Sequence, residues 1–182
     1  VIDPDGMLTH AQRLAGAGPG RPPDSDLRRG VSAAYYAVFH EFTAMISNCL
    51  LPHLSDDAKG KVRRAFTHGE LRGTADMVVE RANVLAKNMN APLPKRLEVW
   101  GPLLDISATD AHLVAGLRSF SRLQEQRHSA DYDHAAKFDK FALAKQCTAA
   151  GAAINDLRAT TPQGREALST MSAVGRKDLR ER

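Results

Sequence analysis

Two apolar seams constrain this chain more than anything else in it. Val31, Tyr35, Val38, Phe42, Met45 and Cys49 step by 4, 3, 4, 3 and 4 residues, and Leu143, Cys147, Ala150, Ile154 and Leu157 step by 4, 3, 4 and 3. A repeat of about 3.5 residues keeps one stripe of a helix facing a neighbouring helix, as in a bundle. Such a seam cannot lie flat in a sheet, where side chains alternate every second residue. No segment of the chain shows that period-2 alternation. The expectation is therefore an all-α protein, an antiparallel bundle of four main helices with short accessory helices.

The remaining elements follow from caps and breakers. Met7 to Leu14 carries a short helical pattern, and the run Gly16-Ala-Gly-Pro-Gly-Arg-Pro-Pro23 then breaks regular structure. No strand precedes those glycines and no Lys-Ser or Lys-Thr follows them, so they read as a linker and not as a phosphate loop. Asp24, Ser25 and Asp26 offer N-caps for the first long helix, which ends before Pro52. Ala33, Ala34 and Ala37 let a neighbouring helix come close. Ser55 or Asp56 can cap a helix over 59–72, and Met77 to Ala86 reads as another, with an interruption at Gly73. Trp100-Gly101-Pro102 marks a bend. Asp110 can cap a helix running to about His128, with Leu113, Leu117, Phe120 and Leu123 inward. Ser129 to Asp133 reads as a turn, with Asp131 or Asp133 capping the last long helix to about Ala159. Thr161-Pro162 opens a short coda. The expected organisation is an N-terminal helix and linker over 1–23, a bundle over 24–160, and a short helix with a basic tail over 161–182.

At 182 residues the chain can bury a self-sufficient core. The formal charge is only +4, and part of the excess sits at Arg176, Lys177, Arg180 and Arg182. That permits a nucleic-acid partner without the basic stripe of a dedicated binder. Cys49 and Cys147 stand far apart on the apolar seams, which argues against a disulfide framework or a cysteine zinc site. No apolar run reaches membrane-spanning length and no signal pattern opens the chain, so no membrane partner and a reducing cytoplasm are expected. His40-Glu41 opens like a zinc-protease helix, but Ala44 stands where the second His is required. His10, His53 and His112 share no ligand spacing, so no metal and no cofactor are expected.

Chemistry is concentrated between Leu123 and Lys137, where Arg127, His128, Asp131, Tyr132, Asp133 and His134 fall within eight positions. This stretch, with Leu27-Arg-Arg-Gly-Val-Ser-Ala-Ala-Tyr-Tyr-Ala-Val-Phe-His-Glu-Phe42, carries a resemblance. The earlier run resembles the opening helix of bacterial HEPN-domain proteins, and Arg127-x-x-Ala130-Asp131-Tyr132 resembles that family's Arg-x-x-Ala-Asp-Tyr turn. The resemblance spans Asp24 to Leu157. It implies a helical bundle that pairs side by side as a homodimer. It also implies a metal-independent endoribonuclease acting on RNA, often a toxin–antitoxin or phage-defence component with an antitoxin or nucleotidyltransferase partner. The family signature is an Arg, usually followed by a polar residue, with a His after four to six intervening residues. Three such pairs occur here, Arg63 with His68, Arg122 with His128, and Arg127 with His134. About two are expected by chance. The Ala-Asp-Tyr turn singles out Arg127 and His134 as the catalytic pair, with His128, Asp131 and Tyr132 in support.

On one continuous helix, residues seven apart share a face about 10 Å apart along the axis. If the chain turns at Ser129 to Asp133, His134 instead enters the first turn of the next helix, whose positive dipole end would hold it neutral. It could then accept the ribose 2′-OH proton while Arg127 stabilises charge on the phosphate, yielding a 2′,3′-cyclic phosphate and a 5′-OH. A second reading stands beside this one. Arg127 could pair with Asp131 or Asp133 and set only the helix-to-helix angle, leaving a non-catalytic binding or scaffold module, or an accessory subunit of a nucleotidyltransferase. Tyr35 is expected in the core and Tyr36 at an interface.

Overall fold

The computed structural model describes residues 3–16, 20 and 22–174. The basic tail beyond Val174 and half of the Gly/Pro linker lie outside the described residues. Eight α-helices follow in order among those described: α1 (Pro4–Gly16), α2 (Asp24–Leu50), α3 (Asp56–Arg63), α4 (His68–Lys87), α5 (Gly101–Thr109), α6 (Ala111–Tyr132), α7 (Lys140–Ala159) and α8 (Pro162–Val174). A 3-10 helix at Lys95–Trp100 leads into α5. The described residues contain no strand, and the all-α expectation holds.

α2 is the central element, packed against α1, α6, α7 and α8. Its seam residues Val31, Tyr35, Val38 and Phe42 are fully buried, Met45 nearly so, and Cys49 half-buried near the end. The α7 seam from Leu143 to Leu157 is buried throughout, as are Leu113, Leu117, Phe120 and Leu123 of α6. Close approach of α2 and α7 depends on Gly30: a Cβ there would sit 2.5 Å from Leu143 Cδ2. No described helix is long and apolar enough to cross a membrane.

Several boundaries differ from those read in the sequence. α2 begins after Pro23 with no side-chain cap, and Asp24 and Asp26 sit inside its first turn, where they favour the helix dipole. α4 runs unbroken through Gly73. The break falls earlier, at 64–67, where Thr67 and Glu70 form a capping box. The Trp100-Gly101-Pro102 bend is the start of α5, with Pro in its first turn, where a missing N–H costs nothing. α6 continues through Ser129 to Tyr132, and its start is capped by Asp110, whose Oδ1 accepts from Leu113 N–H at 2.9 Å. α7 begins only at Lys140, capped by Asp139.

Candidate functional site

The residues that carry the resemblance meet at one place, where α2 crosses the end of α6. Arg28 donates to the carbonyls of Ala130 (2.9 Å), Asp133 (2.9 Å) and Ala136 (2.6 Å), holding the last turn of α6 and the segment after it. Ser32 donates to Asp131 Oδ1 at 2.6 Å. Arg127 Nε lies 2.5 Å from Asp131 Oδ2 as a charge contact, with its N–H not aligned for a hydrogen bond. Arg127 Nη2 donates to the Tyr36 hydroxyl at 3.3 Å, and the guanidinium sits over the rings of Tyr36 and Tyr132. With its side chain only 18% exposed, Arg127 is committed to intrachain partners.

His134 stands elsewhere. It is exposed, on the turn after α6, and has no hydrogen-bond or ion-pair partner among the described residues. Because α7 starts six residues later, His134 is not in a helix first turn, and the dipole argument for its neutrality does not apply. Asp133 Oδ1 accepts from the N–H groups of Ala135 and Ala136, shaping that turn; it does not cap α7. His128 is exposed with its ring 4.9 Å from that of exposed Tyr132.

A second constellation was passed over in the sequence. The capping box at Thr67 starts α4 so that His68 sits in its first turn. Its Nδ1 lies 2.6 Å from the hydroxyl of fully buried Tyr35, and its ring is 4.1 Å from that of Phe39 and 5.6 Å from that of Tyr36. One turn along α2, the His40 ring lies against Phe39 and Tyr36. Both imidazoles line a cleft of about 710 Å³ between α2, α3 and the start of α4, a size typical of ligand sites. Arg63, Arg64, Asp56 and Asp57 line it too.

Charge in this cleft is unevenly balanced. Asp57 is paired with Lys61 at 3.0 Å. Arg63 donates to Ser47 Oγ (2.7 Å) and Asn48 Oδ1 (3.4 Å), both neutral, and no described carboxylate lies within ion-pair distance of Arg63 or Arg64. Burial, then the nearby Arg63 charge, holds His40 below the ordinary imidazole range. Burial, then Arg127, then His40, does the same for His68. Both are therefore neutral at pH 7, able to accept a proton or donate one N–H. Arg127 reaches this site through its field, and Gln124 of α6 donates to the His68 carbonyl at 3.5 Å.

Arg127 thus acts through its charge on His68 of this cleft, while His134 stands on the exposed turn after α6. Arg63 and His68 are one of the three signature-spaced pairs. The Thr-x-x-Glu pattern at Thr67 and Glu70 was the available signal that His68 opens a helix. Among the described residues, no three His, Cys, Asp or Glu side chains converge as a metal site. Comparison of the chain with protein-family models, with curated proteins and with solved structures finds no match.

Proposed function

We propose that the chain is a metal-independent endoribonuclease of the HEPN kind, with its reacting groups in the cleft of His40, Arg63 and His68. One observation carries this reading: a signature-spaced Arg and His line one cleft together with a second imidazole, and both rings are held neutral. A neutral imidazole takes the ribose 2′-OH proton. The 2′-oxygen bonds to phosphorus, the bond from phosphorus to the 5′-oxygen breaks, and that oxygen takes a proton from a water molecule, which is itself reprotonated by the imidazolium. Arg63 and Arg64 face the charge that builds on the phosphate oxygens. Tyr36, half-buried on the cleft wall, offers a ring on which a base can stack. In this reading Arg127 and Asp131 hold the architecture and tune His68. The resemblance adds a side-by-side homodimer and an antitoxin or nucleotidyltransferase partner.

A second reading, a non-catalytic helical binding or scaffold module, is favoured by the commitment of Arg127 to Asp131 and Tyr36. The two separate on single-stranded RNA incubated with EDTA. The nuclease reading expects cleavage that survives chelation and falls by about 10²- to 10⁴-fold in Arg63→Ala, His40→Gln and His68→Gln. His134→Ala should cleave at the original rate. RNA left intact by the unaltered protein over a range of concentrations selects the binding module. Activity lost in His134→Ala but kept in His68→Gln returns the chemistry to the α6–α7 turn.

A further inference from the structure

The hydroxyl of Tyr35 is sealed inside the protein, and its partner is His68 Nδ1 at 2.6 Å. A buried O–H without an acceptor is costly, so the hydroxyl donates and Nδ1 accepts. Burial raises the Tyr35 phenol far above its usual range, so it keeps that proton. A neutral imidazole carries one N–H, and with Nδ1 accepting, the hydrogen is on Nε2. The rings of Phe39, Tyr35 and Tyr36 hold the imidazole plane in place. The charged and titratable groups acting on it are Arg127 from α6 and His40, Tyr35 and Tyr36 from α2, with Arg63 of α3 on the same cleft.

We propose that Tyr35 is a positioning residue that fixes His68 as the Nε2–H tautomer, so that His68 offers the cleft a hydrogen-bond donor and the proton-accepting role falls to His40. The tautomer stands on Tyr35 geometry alone; the division of roles rests on the nuclease reading above. An Nε2–H cannot take up the 2′-OH proton, since that nitrogen already holds its hydrogen. It can donate to a phosphate oxygen, where charge builds as the 2′-oxygen attacks. Among the described residues no hydrogen bond reaches either ring nitrogen of His40, which keeps a lone pair for the base.

The test is long-range proton–nitrogen NMR on the full nitrogen-labelled chain, with the His68 signals identified by their loss in His68→Gln. Above the imidazole range, the unaltered protein should show one protonated nitrogen, Nε2, without tautomer averaging. In Tyr35→Phe the His68 signals should average between tautomers, and His68 should titrate about 0.7 of a unit higher, the equivalent of one ordinary hydrogen bond. Averaged or Nδ1–H signals in the unaltered protein overturn the lock, and that result needs no variant to fold. An unchanged titration in a cooperatively melting Tyr35→Phe overturns it as well. If the lock is seen and RNA is not cleaved, the positioning stands and the assignment of a base to His40 falls. If RNA is cleaved, base-limb loss in His40→Gln with retention of that limb in His68→Gln supports the division, and the reverse pattern overturns it.

Discussion

Arg28 places its guanidinium at the C-terminal end of α6, where helix carbonyls lack partners and the dipole is negative. Its planar fork serves the carbonyls of Ala130, Asp133 and Ala136, with Nε at 2.5 Å from Asp24 Oδ2 and the Phe138 ring 5.3 Å from its carbon centre. A lysine cannot reproduce that geometry. Arg28→Ala should lower unfolding free energy by about 2–3 kcal/mol, read by urea titration, with Arg28→Lys recovering less than half. The sequence showed Arg28 only as one of two arginines before an apolar seam. Its partners lie more than a hundred positions away, and no local pattern announces them. For Arg127 the sequence offered Asp131 or Asp133 as partners across a turn, and the continuation of α6 to Tyr132 decides for Asp131, which then shares its helix face at i and i+4. The histidine was not legible there. His134 shares a short stretch with Arg127, whereas His68 reaches the same neighbourhood only through the packing of α4 on α6.

At the scale of elements, the seams were readable and the interruptions were not. A seam is a statement about burial, and burial of Val31, Val38, Phe42, Leu143 and Ile154 decides which faces meet. The interruptions depend on competition between weak local preferences. Gly73 costs about 1 kcal/mol inside a helix, too little to break one that is packed on both sides, while the reciprocal cap at Thr67 and Glu70 starts α4 six residues earlier. The run from Ser129 to Tyr132 stays helical because Ser32 and Arg28 hold it from α2. The contact between α2 and α7 gives a sharp test. Gly30→Val would drive branched carbons into the side chain of Leu143, which is itself fully buried. The expected loss is about 1–3 kcal/mol of stability, seen as a lower melting temperature. The pair Gly30→Val with Leu143→Ala should recover part of it, because the shorter partner vacates the space. Equal losses in single and double variants would place the strain elsewhere.

For the whole molecule, the neutral histidines predict how stability follows pH. Burial, with Arg63 for His40 and with Arg127 and His40 for His68, depresses both imidazoles in the folded chain relative to the unfolded one. Below the ordinary imidazole value of about 6.5 the unfolded chain therefore binds more protons than the folded one, and stability falls as pH falls. The loss begins near that value and ends once pH is below the folded values of both groups. Above it neither group contributes a slope. Asp110 acts in a separate window. Its burial opposes ionisation, but hydrogen bonds from Leu113 and from the backbone and hydroxyl of Thr161 outweigh this and hold the carboxyl below its usual range. Its contribution is complete above the ordinary carboxylate range and is lost only as pH drops through it. Melting temperature should therefore be level from pH 8 to about 7, decline through the imidazole range, and decline again in the carboxylate range. His68→Gln and His40→Gln should each flatten the first decline and leave the second, whereas Asp110→Asn should do the opposite. Because the first decline belongs to the cleft and the second to the junction of α6 with α8, a single melting series in three variants tells whether the two histidines are held neutral by the folded chain. A first decline of full size in the double variant His40→Gln, His68→Gln would mean that other groups carry it, and would remove the electrostatic basis for reading that cleft as a site of proton transfer.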